Sequence, residues 1–358
     1  MGVHIFFPST NESRSIHDDP KTQSLFTLFL FILVILNNII AEARRSSRGG
    51  FHGTKLFVFG DSYVDTGNFL RSGSYKPPNG ITFPGKPAGR FSDGRVLTDY
   101  IASFLGIRTP VAYRYRNYVE KSKLQHGMNY AQGGTGIFNS ILTNGPNLTT
   151  QINSFQKLVQ LNVYTKHDLR SSVALVNVGG NDYATFLQTN GNLKDVGAFS
   201  SGLVNQLCLD LKGIEGMGVR KIAITLMMPM GCAPQQSVNT SYTKCAELPN
   251  VVARNHNQQL LHCLANLKQS SVFLTLDLYN TFNSVISSMA RKRAKNPRLM
   301  NPLEPCVRVE VEKEGKHKYK VCEKPEASFF WDQAHPSQNG WHSVYSQLQS
   351  SLHQLLQN

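Results

Sequence analysis

Between Leu56 and Phe59 the chain reads Leu-Phe-Val-Phe without a polar break, then turns small and polar at Gly60-Asp61-Ser62. An unbroken apolar run of that length predicts a strand buried on both faces of a parallel sheet, with Gly60 permitting a sharp turn at its end. Ser62 therefore stands at a strand's carboxyl edge, where ligands collect in open α/β sheets and where the first turn of a following helix offers unpaired N–H groups. Further strands are predicted over 172–178, ahead of Gly179-Gly180-Asn181, and over 221–228 and 271–276. Residues 129–136 predict a short strand running into a glycine turn, and 69–94, rich in Gly, Pro, Ser and Lys, a surface loop beside a cleft. Apolar positions at helical spacing predict helices over 96–105, 149–162, 203–216, 248–267 and 337–356. The last carries Trp341, Val344, Tyr345, Leu348, Leu352 and Leu355 on one face, and Pro336 suits its first turn, leaving Asp332 and His335 in the loop that enters it. Strands and helices alternate without an internal repeat or a Pro/Ser-rich linker. The rhythm implies one α/β domain over 53–358, a three-layer α/β/α sandwich with a mainly parallel, flavodoxin-like sheet.

Ahead of this domain, residues 25–36 form a short apolar core followed by Ala41-Glu42-Ala43, the small-x-small pattern of a cleavage site. Twelve apolar residues are short for a membrane span, so residues 1–43 read as a signal peptide and 44–52 as a short linker, with a retained N-terminal anchor as the other reading. A secreted, extracellular protein of the apoplast or cell wall is expected, with no stable membrane insertion after cleavage.

A serine hydroxyl needs a base within hydrogen-bond reach to become a nucleophile, and an imidazole suits that task near neutral pH. His335, with Asp332 three residues earlier to hold its other ring nitrogen, is the candidate base for Ser62. Taken singly, each would be read as a cap or surface residue. Four ordered blocks change that reading: Phe-Gly-Asp-Ser around Ser62, Asn-Tyr-Ala-Gln-Gly-Gly at 129–134, Val-Gly-Gly-Asn-Asp at 178–182, and Asp332-x-x-His335. Together they resemble the GDSL esterase/lipase family, also called SGNH hydrolases, over nearly the whole mature chain. Gly-Arg-Phe-Ser-Asp-Gly-Arg at 89–95, leading into Asp99-Tyr-Ile-Ala, resembles its plant branch.

The resemblance implies the SGNH hydrolase fold and hydrolysis of carboxylic esters by Ser62, Asp332 and His335. It also implies an oxyanion hole built from the backbone N–H groups of Ser62 and Gly134 and the side-chain amide of Asn181. An uncharged amide and a glycine that lets backbone approach closely suit that role. Tyr63 departs from the Leu of the family name, a change expected to alter pocket shape more than activity. No Gly-x-Ser-x-Gly elbow occurs.

Charge and cysteines adjust this picture. Residues 1–43 hold two basic side chains (Arg14, Lys21) and four acidic ones (Glu12, Asp18, Asp19, Glu42), so their loss moves formal charge from +14 to +16. So basic a body favours anionic surroundings, for which acidic wall polysaccharide is the expected partner; the dispersed Lys and Arg, without interleaved aromatics, argue against nucleic acid. Six cysteines in a secreted chain suggest disulfides. Cys306 and Cys322 flank an alternating stretch that reads as a hairpin, and Cys232 and Cys245 bracket a polar loop, which makes these the two candidate pairs. Cys208 and Cys263, in helical patterns, suit a buried thiol as well as a bridge. No metal-ligand spacing occurs, and the Gly134–Asn139 stretch lacks the third glycine of a dinucleotide loop, so neither metal nor cofactor is expected. Asn147 and Asn239 are glycosylation acceptors if the chain is secreted.

Three functions fit: a secreted serine esterase of lipid or small acyl esters, a polysaccharide O-acetyl esterase or acyltransferase with the same triad, or a non-catalytic basic wall-binding protein. The intact Ser62, Gly134, Asn181, Asp332 and His335 set disfavours the last.

Overall fold

The computed structural model describes residues 54–189, 191–267, 271–311 and 317–357. The expected signal peptide, the linker and the hairpin turn at 312–316 lie outside them. The strands are β1 (Leu56–Gly60), β2 (Val111–Ala112), β3 (Gly127–Asn129), β4 (Val173–Asn177), β5 (Lys221–Leu226) and β6 (Val272–Asp277), followed by a separate hairpin, β7 (Val307–Val311) and β8 (His317–Val321). The helices are α1 (Leu97–Phe104), α2 (Leu148–Gln160), α3 (Lys166–Arg170), α4 (Gly180–Gln188), α5 (Val196–Gly216), α6 (Pro234–Ser237), α7 (Glu247–Asn266), α8 (Leu278–Lys295) and α9 (Gln338–Gln357).

Six strands form one parallel sheet in the order β2-β3-β1-β4-β5-β6, so β1 lies near its centre, between β3 and β4. Removing the two-residue edge strand β2 leaves the flavodoxin-like order expected. Side-chain alternation in the central strands feeds two cores. Phe57, Phe59, Ala174, Val176, Ile222 and Ile224 pack with α2, α5 and α7 on one face. Leu56, Val58, Val173, Leu175 and Ala223 pack with α1, α8 and α9 on the other. The result is the three-layer α/β/α sandwich. In α9, Trp341, Val344, Leu348, Leu352 and Leu355 are buried as the pattern predicts, while Tyr345 is half-buried at the edge of that core.

Several boundaries differ from the sequence expectation. Helix α5 starts at Val196 rather than 203, because Gly197 and Gly202 interrupt the apolar period although Ser200 is buried. Helix α8 is absent from the sequence reading: it leaves β6 with no glycine turn, Asp277 capping it by accepting the Asn280 N–H at 2.9 Å. Strand β3 ends at Asn129, where the expected strand began, although the Tyr130 and Gln132 N–H groups beyond it still donate to the Val58 and Gly60 carbonyls of β1, at 2.7 and 2.9 Å. Pro336 precedes α9 rather than entering it; Ser337 Oγ accepts the Gly340 N–H at 3.0 Å and starts the helix.

The two expected cysteine pairs are bridged: Cys232–Cys245, and Cys306–Cys322 at the base of the β7–β8 hairpin, where Val307 pairs with Val321. Cys208 and Cys263, open in the sequence reading, form a third disulfide joining α5 to α7. Among the described residues no helix is long and apolar enough to cross a membrane.

Candidate active site

The site begins where β1 ends. Gly60 has φ +131°, and a Cβ there would lie 1.8 Å from the Asn177 carbonyl oxygen at the end of β4, so only glycine fits. The Asp61 N–H continues that contact, donating to the Asn177 carbonyl at 3.0 Å. A turn follows Ser62, as the sequence predicts. The Asp61 carbonyl accepts the Val64 and Asp65 N–H groups, and the Asp65 carboxylate takes those of Gly67 and Asn68, both at 2.7 Å, closing a compact turn. An acidic side chain that takes the N–H groups two and three residues ahead of it competes with helix formation.

That turn is tied to its neighbours by buried amides. Asn68 Nδ2 donates to the carbonyls of Asn129 and Ala131, and Asn129 Nδ2 donates to the Val64 carbonyl. Asp65 Oδ2 accepts the Gly133 N–H at 2.9 Å, which orients the residue preceding Gly134. Gln151 of α2 reaches across to Gly60, accepting its N–H at 2.8 Å and donating to its carbonyl at 2.9 Å. Asp182 of α4 holds the next loop through the Ile137 and Phe138 N–H groups, at 3.0 and 2.9 Å. Burial raises the carboxyls of Asp65 and Asp182 to about 6 despite these donors.

The structure brings Ser62, His335 and Asp332 into one hydrogen-bonded line. Ser62 Oγ is 2.8 Å from His335 Nε2, and His335 Nδ1 is 2.8 Å from both Asp332 carboxylate oxygens. Asp332 Oδ1 also accepts the N–H groups of Ala334 and His335, at 2.9 and 2.8 Å, curling the loop into a tight turn. Burial pushes the Asp332 carboxyl up, but the adjacent imidazole and these N–H groups outweigh it, and the group lies below the usual carboxylate range. Burial lowers His335, yet the Asp332 carboxylate and, secondarily, Asp61 leave its pKa raised overall. Asp61, one residue before Ser62, is pushed by burial to about 7, against the opposing pull of the Tyr63 N–H, the His335 charge and the Asn177 amide.

The two glycine-turn residues face the same opening. Gly134 has φ +82°, a conformation that suits glycine. Asn181, in the first turn of α4, donates one amide hydrogen to the Thr135 carbonyl at 2.9 Å, which leaves the other for a ligand. Ser62, Gly134, Asn181 and His335 all line one cavity of about 480 Å³. Asn239 is exposed, whereas the Asn147 side chain caps α2, accepting the Thr150 N–H at 2.9 Å.

Tyr63 does more than shape the pocket. Its hydroxyl donates to the Ala334 carbonyl at 2.8 Å, linking the residue after Ser62 to the residue before His335. Its ring stands edge-on to His335 at 5.9 Å, and Phe91 flanks the imidazole at 5.1 Å. Phe91 belongs to the 89–95 stretch that served in the sequence only as a family marker. That stretch is anchored by Arg90, which holds Asp99 of α1 through two bonds of 2.8 and 2.7 Å, and by Asp93, which accepts the first N–H of α9 at 2.7 Å. Sequence reasoning assigned no role to Asp65, Asn68, Asn129, Gln151 and Asp182 because buried polar residues carry no periodic signal; Asn129 and Asp182, lying in the 129–134 and 178–182 blocks, were the most findable.

The chain matches a family model described as GDSL-like lipase/acylhydrolase over residues 56–348. It is 44% identical over 356 residues to one GDSL esterase/lipase of Arabidopsis thaliana, covering 93% of this chain and 98% of the relative. A second GDSL esterase/lipase of that plant is 43% identical over 347 residues, with 93% and 98% covered. Among solved structures, an acetyl xylan esterase from Geobacillus stearothermophilus overlays at a TM-score of 0.33 and 15% identity, over 85% of this chain and 94% of that one, too loosely to carry an argument.

Proposed function

This chain belongs to the GDSL-like lipase/acylhydrolase family and is a carboxylic ester hydrolase, and from that premise we propose that it works through an acyl-enzyme on Ser62. The observation that carries the reading is the unbroken line from Ser62 Oγ through His335 to Asp332, at 2.8 Å for each step. His335 Nε2 takes the Ser62 proton as Oγ bonds to the ester carbonyl carbon. Asp332 holds Nδ1–H and stabilises the imidazolium that forms. The oxyanion is received by the N–H groups of Ser62 and Gly134 and the unused amide hydrogen of Asn181. Collapse breaks the ester C–O bond, and the departing alkoxide takes the proton from Nε2. Water, deprotonated by the same nitrogen, then attacks the acyl-enzyme, releasing the acid and restoring Ser62. An alcohol in place of water would make the reaction an acyl transfer.

Residues 53–358 are the hydrolase domain in this reading, and the protein is secreted to the apoplast or cell wall after cleavage behind residue 43. Three disulfides, which persist in oxidising compartments, and the exposed acceptor Asn239 support secretion. The net charge of +16 left after loss of residues 1–43 favours residence on acidic wall polysaccharide, while the triad speaks against a purely binding role. The test is hydrolysis of acetyl, butyryl and palmitoyl esters and acetylated polysaccharide beside a Ser62→Ala control, with N-terminal sequencing of the mature protein. Turnover that persists in Ser62→Ala would remove the acyl-enzyme from the proposal.

A further inference from the structure

The cavity that opens at Ser62 is far larger than the chemistry needs. At about 480 Å³ it has room for on the order of a dozen groups the size of a water or a methylene, at roughly 30 Å³ each. Its walls are the carboxyl ends of β4 and β5 and the facing turns of α4, α5 and α7, with Leu187, Val196, Leu226, Met227, Leu248 and Val252 among the lining side chains. In a chain of net charge +14, no Lys, Arg or Glu among the described residues lines it, and its titratable groups Asp61 and His335 stand at the Ser62 end.

The polar groups in the walls are largely committed elsewhere. The Tyr183 hydroxyl donates to Ser200 at 2.8 Å and meets His256 Nδ1 at 3.0 Å, so the tyrosine offers the cavity its ring. Asn177 is held by Asp61 at 2.8 Å and Thr225 at 2.9 Å. Gln188 and Gln235 are exposed at the mouth, beside Leu187 and Leu248, which are 52% and 53% exposed. A site for an acetylated sugar would need several inward-facing donors and acceptors; this one has a few polar groups at one end and apolar walls beyond. Met227, Met228 and Met230, unbranched and adaptable, suit an occupant of variable shape.

We infer that this cavity holds the acyl chain of the substrate, and that the enzyme prefers esters of neutral, unbranched acids of about eight carbons or more over acetyl esters. The inference rests on the Ser62 acyl-enzyme proposed above. Each methylene moved from water onto apolar walls favours the transition state by up to about fourfold, so six of them, even imperfectly packed, give about a hundredfold.

The test compares p-nitrophenyl acetate, butyrate and octanoate on the full mature protein, then the isomers ethyl octanoate and octyl acetate, which share one composition and differ only in which side of the ester carries the chain. The expected result is a kcat/KM for octanoate at least about 100-fold above acetate, and ethyl octanoate favoured over octyl acetate by about 10-fold or more. Val252→Trp, which fills the cavity, and Leu248→Glu, which charges its open mouth without disturbing the core, should each lower octanoate kcat/KM by about 10-fold and leave acetate unchanged. A flat or acetate-favouring profile with Ser62→Ala inactive overturns the acyl cavity and leaves the esterase reading standing. A preference for octyl acetate assigns the cavity to the alcohol and overturns it equally. Turnover that survives in Ser62→Ala instead sinks the underlying mechanism.

Discussion

The two halves of the site are held in different ways. Ser62 sits on the carboxyl edge of the sheet, one residue past Asp61, whose N–H still bonds to the neighbouring strand. His335 sits on an irregular loop between Phe330 and Pro336, half-buried, and its place is set by contacts hundreds of residues away in sequence: Tyr63 on Ala334, Asn79 on the Trp331 indole at 2.8 Å, Asp93 on the start of α9. The proposed nucleophile is fixed by strand geometry and by the buried amides that hold its own turn. A base on a loop needs braces, and the structure supplies them from the 63–95 region.

The strongest way to break the comparison is to remove either partner. Ser62→Ala or His335→Ala should lower kcat for ester hydrolysis by roughly 10⁴-fold or more, and because triad members act as a unit the double variant should be little worse than either single one. Fully additive losses in the double variant would separate the two halves and contradict the shared mechanism.

Next in size is Asn181→Ala, expected to reduce kcat by roughly 10²- to 10³-fold with KM nearly unchanged, since its bond to the oxyanion strengthens only in the transition state. The substitution also frees the Thr135 carbonyl, so melting temperature should be followed alongside. A fall in stability with kcat intact would make Asn181 a turn former.

Tyr63→Phe sharpens the contrast between sheet and loop. It keeps the edge-on ring contact with His335 and deletes only the bond to Ala334, so kcat should fall by about 3- to 10-fold, the worth of one hydrogen bond, while KM stays level. If Tyr63→Phe lowers the melting temperature but not kcat at 25 °C, the hydroxyl stabilises the fold without positioning His335.

The smallest effect concerns pH. Asp61 ionises near 3.8 when exposed and at about 7 in the folded protein, so between these values the folded state holds the extra proton and Asp61 costs stability progressively as pH rises. Asp61→Asn keeps an oxygen to accept the Tyr63 N–H and the Asn177 amide. It should raise the melting temperature at about pH 8, with the gain shrinking toward about pH 4. The raised pKa of His335 places the acid limb of kcat/KM above that of an ordinary imidazole, and loss of the Asp61 charge should move that limb to lower pH. An unchanged limb would mean that Asp61 does not act on His335.

The strand at 56–60, the glycine turn after it, the strand–helix alternation and the residues proposed as the triad could all be read in the sequence, because burial on both faces of a parallel sheet leaves unbroken apolar runs and the proposed chemistry needs particular side chains near the ends of those runs. The link between Ser62 and Asp332–His335 was legible only through motif resemblance, since nothing in the pattern of a chain says that positions 273 apart will meet at 2.8 Å. Tertiary structure alone decided the rest. It clamped the turn after Ser62 with the Asp65 carboxylate, paired Cys208 with Cys263, and turned Tyr63 from a pocket substituent into a brace. It also gathered apolar residues from the ends of β4 and β5 and from α4, α5 and α7 into one cavity. Periodicity reports which face of an element is buried, but a polar side chain or a cavity wall acquires its role from partners that only the folded chain brings within reach.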